Sequence, residues 1–226
     1  MTSLSKQHKI DELMEKASHA LARMSYFEAE RFAVKALNMA WQQREYERMA
    51  RIVLPLQEAR RQRYQQALDI GTIRFMDDET ISEEMQVDEG CYMVRPPKVG
   101  ADGRRLRLAG LHREIPVAVV CHEPVTQLGL IPIVSTIPGK SYRVKVRPPA
   151  DRDNPDMAWF ASAIEELGDA ALQIIDPARP AERRIETLME MLDAIPEHEK
   201  IHQVLADTCR ELMHENAEDA SSGAKV

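Results

Sequence analysis

The chain contains no glycine before Gly71, and this feature constrains its fold more than any other. Glycine ends many helices and permits tight turns, so a long stretch without it favours helices. Residues 11–68 are instead rich in alanine, methionine and arginine, which are good helix formers. We therefore predict that residues 1–68 form a helical region.

Near the N-terminus, apolar residues recur at steps of three and four, which predicts a first helix with one buried face. They are Ile10, Leu13, Met14, Ala17, Ala20, Leu21 and Met24. Ser25 is a suitable N-cap for a second helix, and Glu28 stands at capping-box spacing from it. Small residues at Ala29, Ala33 and Ala36 would let two helices approach closely, which predicts an antiparallel hairpin with a short turn.

This hairpin resembles one tetratricopeptide-type repeat, over about residues 9–41. The resemblance is carried by Ala17, Ala20, Tyr26, Ala29, Phe32, Ala36 and Leu37. The chain departs from the family pattern at Trp41, where proline is frequent, and at Lys16, where leucine is usual. One period further on, Arg60 and Arg63 replace the aromatic residue and the alanine, so the resemblance covers one unit of about 34 residues. It implies that neighbouring helices cap the unit and that the protein is an interaction or scaffold protein.

A third helix is predicted over residues 44–66, bent or restarted at Pro55. Arg44, Arg48 and Arg51 share one face of it, and three more arginines follow by residue 63. The first interpretation is a solvated face with Glu–Arg pairs at helical spacing, such as Glu47 with Arg51. The second is a contact for an acidic partner, for the chain's own acidic segment 77–89, or for a polyanion.

After Gly71 the pattern changes to short strands separated by turn residues. Strands are predicted at residues 72–76, 91–95, 105–109, 115–122, 129–136 and 142–147. Residues 101–104 have the turn chemistry of a hairpin, and the connections leave no room for crossover helices. We therefore predict an antiparallel sheet or a small, partly open barrel over residues 69–152. Pro132 should confine its strand to an edge or a bulge.

Residues 153–215 return to helical periodicity, with a strong helix start at residues 154–156. We predict C-terminal helices that pack on the rest of the chain, followed by a disordered tail at residues 216–226. The predicted fold class is α+β, with N-terminal helical hairpins, a central sheet and C-terminal helices.

The candidate reactive residues form no recognisable catalytic or metal-binding pattern. Cys121 and His122 are strand neighbours that face opposite sides, so Cys121 is expected in the core and His122 near solvent. His198 and His202 have the spacing of two ligands on a helix but lack the HExxH pattern, so we expect surface residues. The chain contains no phosphate-loop or nucleophile-elbow motif. These observations predict no catalytic residue, no cofactor and no metal.

Two segments end alike, in the sequence Val-Arg-Pro-Pro, and place Arg95 and Arg147 at strand ends. Together with His122, these arginines are the candidate contacts for a small ligand where the sheet meets the helices. An enzyme or ligand-binding site at that junction is the second functional hypothesis, and polyanion binding through residues 44–63 is the third.

The net charge of −7 argues against general nucleic-acid binding, although it leaves room for a local basic face. The three cysteines are widely spaced and odd in number, which does not favour a disulfide framework. The polar N-terminus has no apolar core typical of a signal peptide, and no apolar run is long enough to span a membrane. The sequence therefore predicts a cytoplasmic protein with a protein partner; self-association into a homo-oligomer stays open.

Overall fold

A computed structural model of the protein describes residues 3–77 and 80–223, with side chains described for residues 7–77 and 80–215. The described residues form an α+β fold, with helices before and after a central sheet, and this confirms the predicted class. The helices are α1 (Ser3–Ala22), α2 (Tyr26–Gln42), α3 (Tyr46–Asp69), α4 (Gly100–His112), α5 (Met157–Leu172), α6 (Ala181–Ala194) and α7 (Glu199–Gly223). The strands are β1 (Ile73–Met76), β2 (Gly90–Val94), β3 (Val117–His122), β4 (Ile131–Ile137) and β5 (Lys140–Val146).

The chain divides into two compact units. Unit 1 comprises Met1–Arg60, Asp176–Met189 and Glu199–Val226, and unit 2 comprises Arg61–Ile175 and Glu190–His198. Unit 1 is therefore built from both ends of the sequence, and unit 2 from its middle. Among the described residues, no helix is both long and apolar enough to cross a membrane.

In unit 1, α1 and α3 run in the same direction. Gln7 contacts Glu45, and Asp11 accepts hydrogen bonds from Arg48; these pairs are separated by 38 and 37 positions. A nearly constant separation along two helices means that they are parallel. The intervening α2 is antiparallel to both, since Glu30 near its start contacts Arg60 late in α3, while its last residues lead directly into α3. Buried Ala20, Ala29 and Ala59 bring the three helices together in one cluster.

The turns that join α1 to α2 and α2 to α3 have the same hydrogen bonds. In the first, the backbone N–H groups of Met24 and Ser25 donate to the carbonyls of Leu21 and Ala20. In the second, those of Arg44 and Glu45 donate to the carbonyls of Trp41 and Ala40. This is the Schellman pattern, and it puts Met24 (φ 58°) and Arg44 (φ 57°) in the left-handed region.

The N-cap chemistry of α2 differs from the prediction. Ser25 occupies the N-cap position, but its side chain makes no capping hydrogen bond. Glu28 instead accepts a hydrogen bond from Arg23 at 3.1 Å. The predicted capping box is therefore wrong, because the ion pair across the turn takes the carboxylate away from the N-cap.

Replacing Met24 or Arg44 with glycine should raise the unfolding free energy. A side chain in the left-handed region costs about 1–2 kcal/mol, which exceeds the entropic cost of introducing glycine. Each substitution should therefore add about 0.5–1 kcal/mol, measured by urea denaturation. Gln43→Gly is the matched control, because Gln43 sits in the same turn at φ −102° and gains no relief. An equal effect at Gln43 and Arg44 would show that turn strain is not the cause.

The two C-terminal helices complete unit 1 by packing on α3. Gln57 contacts Glu199 at the start of α7, and Tyr46 at the start of α3 contacts Glu182. Arg184, close to Glu182 in sequence, binds Glu211 later in α7. The contacts thus run in opposite order along α3 and α7, which are antiparallel.

Two predictions about helix ends differ from the structure. Helix α3 continues through Pro55 without a break. Helix α7 includes residues 216–223 of the predicted disordered tail, and residues 224–226 lie outside the described part of the chain.

Unit 2 is organised around a mixed sheet with the strand order β1-β2-β3-β4-β5. Strands β1, β2 and β3 pair in parallel, whereas β3, β4 and β5 pair antiparallel. The expected antiparallel pairing is therefore right for the second half of the sheet and wrong for the first. Helix α4 packs on one face of the sheet. On the other face lie α5 and the end of α3, where the Ala67 carbonyl accepts from the Cys91 thiol.

The prediction of antiparallel pairing fails at α4, where the sequence predicts a hairpin turn and a strand at residues 105–109. The structure has instead a crossover helix between β2 and β3, which is the connection that parallel strands need. Gly100, Gly103 and Gly110 of this helix all face the sheet. A Cβ on them would lie 2.5 Å from Thr136, 2.9 Å from Cys121 and 2.3 Å from Val117, respectively. These glycines allow close helix–sheet packing and do not form turns.

Gly110→Ala should lower the unfolding free energy by about 1–3 kcal/mol, because overpacking displaces α4 from β3. Removing the Val117 methyl groups in Gly110→Ala with Val117→Ala should recover part of the loss, a favourable coupling measurable in a double-mutant cycle. Arg105→Ala on the exposed side of the same helix should change stability by less than about 0.5 kcal/mol. Strict additivity of the two buried substitutions would contradict this account of the contact.

Candidate functional site

A groove lies between α1 and α3 in unit 1. Its volume is about 420 Å³, and its lining residues are Asp11, Met14, Glu15 and Ser18 from α1 with Arg48 and Arg51 from α3. We call it the α1–α3 groove. Two of the three arginines predicted as partner contacts, Arg48 and Arg51, therefore line one surface.

Arg48 is held in a fixed position in this groove. Its guanidinium donates to both carboxylate oxygens of Asp11, at 2.9 and 3.0 Å, and to Glu45 at 2.8 Å. The hydrogen bond from Arg48 lowers the pKa of Asp11, and in return raises that of Arg48. Both groups keep their charge, and the pair forms one wall of the groove.

Arg51 and Arg44 are more exposed than Arg48. Arg51 lies one turn further along α3, where its charge lowers the pKa of Asp11 as a minor contribution. Arg44 stands in the left-handed turn before α3, with its guanidinium 3.8 Å from Glu182. The guanidinium of Arg44 therefore lies near α6, and Arg44 does not line the groove.

His202, also in unit 1, is buried, so the expectation of a surface residue is wrong. Its Nε2 atom lies 3.3 Å from Arg60, whose guanidinium also donates to Glu30 at 2.8 Å. Arginine has only donors, so Nε2 of His202 is the acceptor in this contact. This cluster joins α2, α3 and α7 from within.

His198 in unit 2 is also buried, again contrary to the expectation, and it precedes α7 rather than lying on it. Its Nε2 atom lies 3.4 Å from Glu165 and from Asp169, which are one turn apart on α5. Gly168 makes room for the ring, since a Cβ there would stand 2.1 Å from it. The two histidines thus serve separate structural contacts.

The second candidate site lies in unit 2, at the edge where the parallel strands end, which we call the carboxyl edge. Met76 pairs with Val94, and Val94 pairs with Cys121. The three residues that come next along these strands therefore lie side by side. Those residues are Asp77, Arg95 and His122. We call them the edge row. The Arg95 N–H donates to the Met76 carbonyl at 3.0 Å and so extends the ladder to this point.

Arg95 is oriented by two contacts within the row. Its guanidinium makes an ion pair with Asp77, and its central carbon lies 3.9 Å above the ring centre of Phe75. Stacking fixes the plane of the guanidinium, while the carboxylate fixes one of its edges. The hydrogen bond to Asp77 comes from one terminal amino group of Arg95. A guanidinium has five N–H donors, so this bond does not use all of them.

The hydrogen bonds around Glu123 determine which ring nitrogen of His122 carries the proton. Pro132 lies opposite Glu123 in the antiparallel register of β3 and β4. The Glu123 N–H donates to the Pro132 carbonyl at 2.8 Å, but proline has no N–H to return the bond. The Glu123 carbonyl accepts instead from Nδ1 of His122 at 2.9 Å. Because a carbonyl can only accept, Nδ1 carries the proton and Nε2 presents a lone pair.

This pairing also corrects the prediction for Pro132. Strand β4 lies between β3 and β5, so it is not an edge strand. The proline is tolerated because the missing donor faces the last residue of the β3 ladder, where the side chain of His122 compensates.

Burial lowers the pKa of His122, the neighbouring charge of Arg95 lowers it further, and the bond to Glu123 acts in the opposite direction. The adjacent Cys121 faces α4 and is buried, as expected for a core residue. Burial raises the pKa of its thiol to about 12, so it is protonated at neutral pH and a poor nucleophile.

Arg147 directly follows β5 at the same edge, because two antiparallel steps make β5 run in the direction of β3. Strand alternation nevertheless places it with Arg143, which binds Glu123 at 3.0 Å on the sheet face opposite to His122. The side chain of Arg147 is exposed, while its carbonyl accepts from the Trp159 indole at 2.8 Å. The structure therefore groups Arg95 with His122 and leaves Arg147 apart.

Sequence reasoning missed Asp77 and the role of Pro132. The Val-Arg-Pro-Pro segments correctly indicated that Arg95 lies at a strand end, but nothing in them indicates which strands are neighbours. Within the described residues, no group of three or more His, Cys, Asp or Glu side chains could hold a metal ion.

In the comparisons with known proteins, no family model, no curated protein and no solved structure matches this chain.

The pKa of His122 predicts a pH-dependent stability. Below pH 6.5 the unfolded chain takes up a proton at this residue before the folded protein does, so the unfolding free energy falls as the pH falls. Urea denaturation between pH 7.5 and 5 should show a shallower fall for His122→Asn than for the wild type. His112→Asn, at an exposed histidine of α4, should keep the wild-type slope. A wild-type slope in His122→Asn would contradict the assignment.

Proposed function

We propose that this protein is a non-catalytic interaction protein, and that α1 to α3 form a tetratricopeptide-type unit that binds a protein partner through the α1–α3 groove. The observation that carries the proposal is the parallel packing of α1 and α3 about one repeat length apart, with α2 antiparallel between them in sequence. Stacked helical hairpins have this arrangement, and it leaves a groove between successive first helices.

The residues of the groove are suited to a segment of another protein. Met14 offers a flexible apolar surface, Ser18 and Glu15 offer polar groups, and Arg51 offers an exposed cation. Mixed apolar and charged groups in a groove of this kind fit a peptide or helix with anchoring side chains. Helices α6 and α7 support the proposal, because they cover α3 and supply the capping that a single repeat unit needs.

Polyanion binding through residues 44–63 receives less support from the charges. Arg44, Arg48 and Arg60 each face a carboxylate, at 3.8 Å for Arg44 and 2.8 Å for the other two. Paired arginines contribute little to the counterion release that drives polyanion binding. The basic residues of this segment are better explained as contacts between helices.

A second candidate function is small-ligand binding at the carboxyl edge of the sheet. The observation that favours it is the edge row, which aligns Asp77, Arg95 and His122 on one face at the ends of three parallel strands. In open sheets with parallel strands, ligands commonly bind beyond these ends. This function concerns unit 2 and is compatible with a protein partner on unit 1.

The groove proposal is tested by two substitutions that leave the core intact. Ser18→Arg fills the groove from exposed α1, and Arg51→Glu reverses its exposed charge. We expect each to weaken a partner complex at least about tenfold, about 1.4 kcal/mol, in titrations with a partner identified by crosslinking to wild-type protein.

Lys35→Glu is the matched control, because it makes the same charge change on the exposed face of α2. It should leave the affinity unchanged, and all three variants should unfold at the wild-type urea concentration. A partner that binds Ser18→Arg and Arg51→Glu as tightly as wild type would overturn the proposal.

A further inference from the structure

The edge row presents a cation and a neutral acceptor beside each other. Arg95 and His122 occupy equivalent positions on adjacent parallel strands, and the charge of Arg95 acts on the imidazole. The guanidinium of Arg95 is a cation that only donates, while His122 donates through Nδ1 to the Glu123 carbonyl. The pair therefore offers N–H donors from one side chain and the Nε2 lone pair from the other.

We propose that Arg95 and His122 bind a small oxyanion that also carries a hydroxyl group, with the oxyanion on Arg95 and the hydroxyl donating to Nε2 of His122. The inference rests on the second proposed function, ligand binding at the carboxyl edge, and specifies its ligand class. Hydrogen phosphate and 2-hydroxycarboxylates share this chemistry.

The orientation of both side chains supports this class. Asp77 and the Phe75 ring hold the Arg95 guanidinium in one plane, which suits the planar, paired recognition of an oxyanion. Asp77 also offsets part of the positive charge, so a singly or doubly charged small anion is a better match than a polyanion. Pro132 removes the backbone donor that would otherwise bind the Glu123 carbonyl, and thereby fixes Nε2 of His122 as an acceptor.

Because Nε2 of His122 can only accept a hydrogen bond, a ligand needs a hydroxyl group to bind tightly at this site. An oxyanion without a hydrogen would place its lone pairs against the lone pair of Nε2, leaving Arg95 as the only favourable contact. The site should therefore distinguish hydrogen phosphate from sulfate, and glycolate from acetate, which differ in the hydroxyl group.

The experiment titrates the full chain at pH 7.5 with phosphate, sulfate, glycolate and acetate, while nuclear magnetic resonance follows the His122 ring nitrogens. In at least one pair, the hydroxylated anion should bind about tenfold more tightly than its partner, the worth of one hydrogen bond to the neutral imidazole. The pair that shows the difference identifies the ligand as a phosphate or a hydroxycarboxylate.

Two variants separate the contributions. His122→Asn keeps a donor for the Glu123 carbonyl but has no atom at the Nε2 position, so it should bind both members of the pair equally. Arg95→Gln should lose both, whereas Arg143→Gln, which changes a cation on the opposite sheet face, should bind as wild type does.

Equal binding of hydroxylated and plain anions by the wild type, lost in Arg95→Gln, would overturn the inference but keep ligand binding at the carboxyl edge. Absence of binding by all four anions at millimolar concentration would overturn both. A phosphate preference that persists in His122→Asn, with an unchanged thermal transition, would also overturn the inference.

Discussion

Both units depend on positions where a larger side chain than the alanine or glycine present would hold two elements apart. In unit 1, Ala20, Ala29 and Ala59 let three helices meet at one point. In unit 2, the glycines of α4 allow it to lie directly on β3 and β4. Interiors are close-packed, so an added methyl group at such a place displaces a whole helix rather than one side chain. The two equivalent turns make α1 and α3 parallel, and the alanine cluster lets them pack closely with α2.

The sequence predicts the helices of unit 1 well, because periodicity over long segments is a strong signal and no glycine competes with it. It fails at α4 for a physical reason. Gly103 beside Asp102 has the composition of a turn, yet in the structure the glycine faces Cys121 and the aspartate binds the N–H of Val99 at the start of the helix. Local composition does not show what a glycine faces across the sheet. Once this helix is missing from the prediction, the parallel pairing of β2 with β3, which it connects, is missing too.

The candidate sites show the same division between local and non-local information. Charge and position at helix faces or strand ends in the sequence indicate Arg48, Arg51, Arg95 and His122 as candidates. Their partners could not be predicted, because Asp11 and Asp77 meet them only through the order of helices and strands. His198 and His202 show that local spacing can also mislead. Their spacing indicates a shared helix face, whereas the structure buries each in a different environment. The polarity of a side chain predicts exposure poorly when its hydrogen bonds come from distant residues.

The assembly of unit 1 from both ends of the sequence has a consequence for biosynthesis. Its closing contacts, Tyr46 with Glu182 and Gln57 with Glu199, join residues 136 and 142 positions apart. Neither contact can form before the ribosome has released the chain to Glu182. The apolar side of α3 therefore stays uncovered while all five strands emerge. Such a delay slows folding and prolongs the exposure of apolar surface, the condition in which nascent chains recruit chaperones.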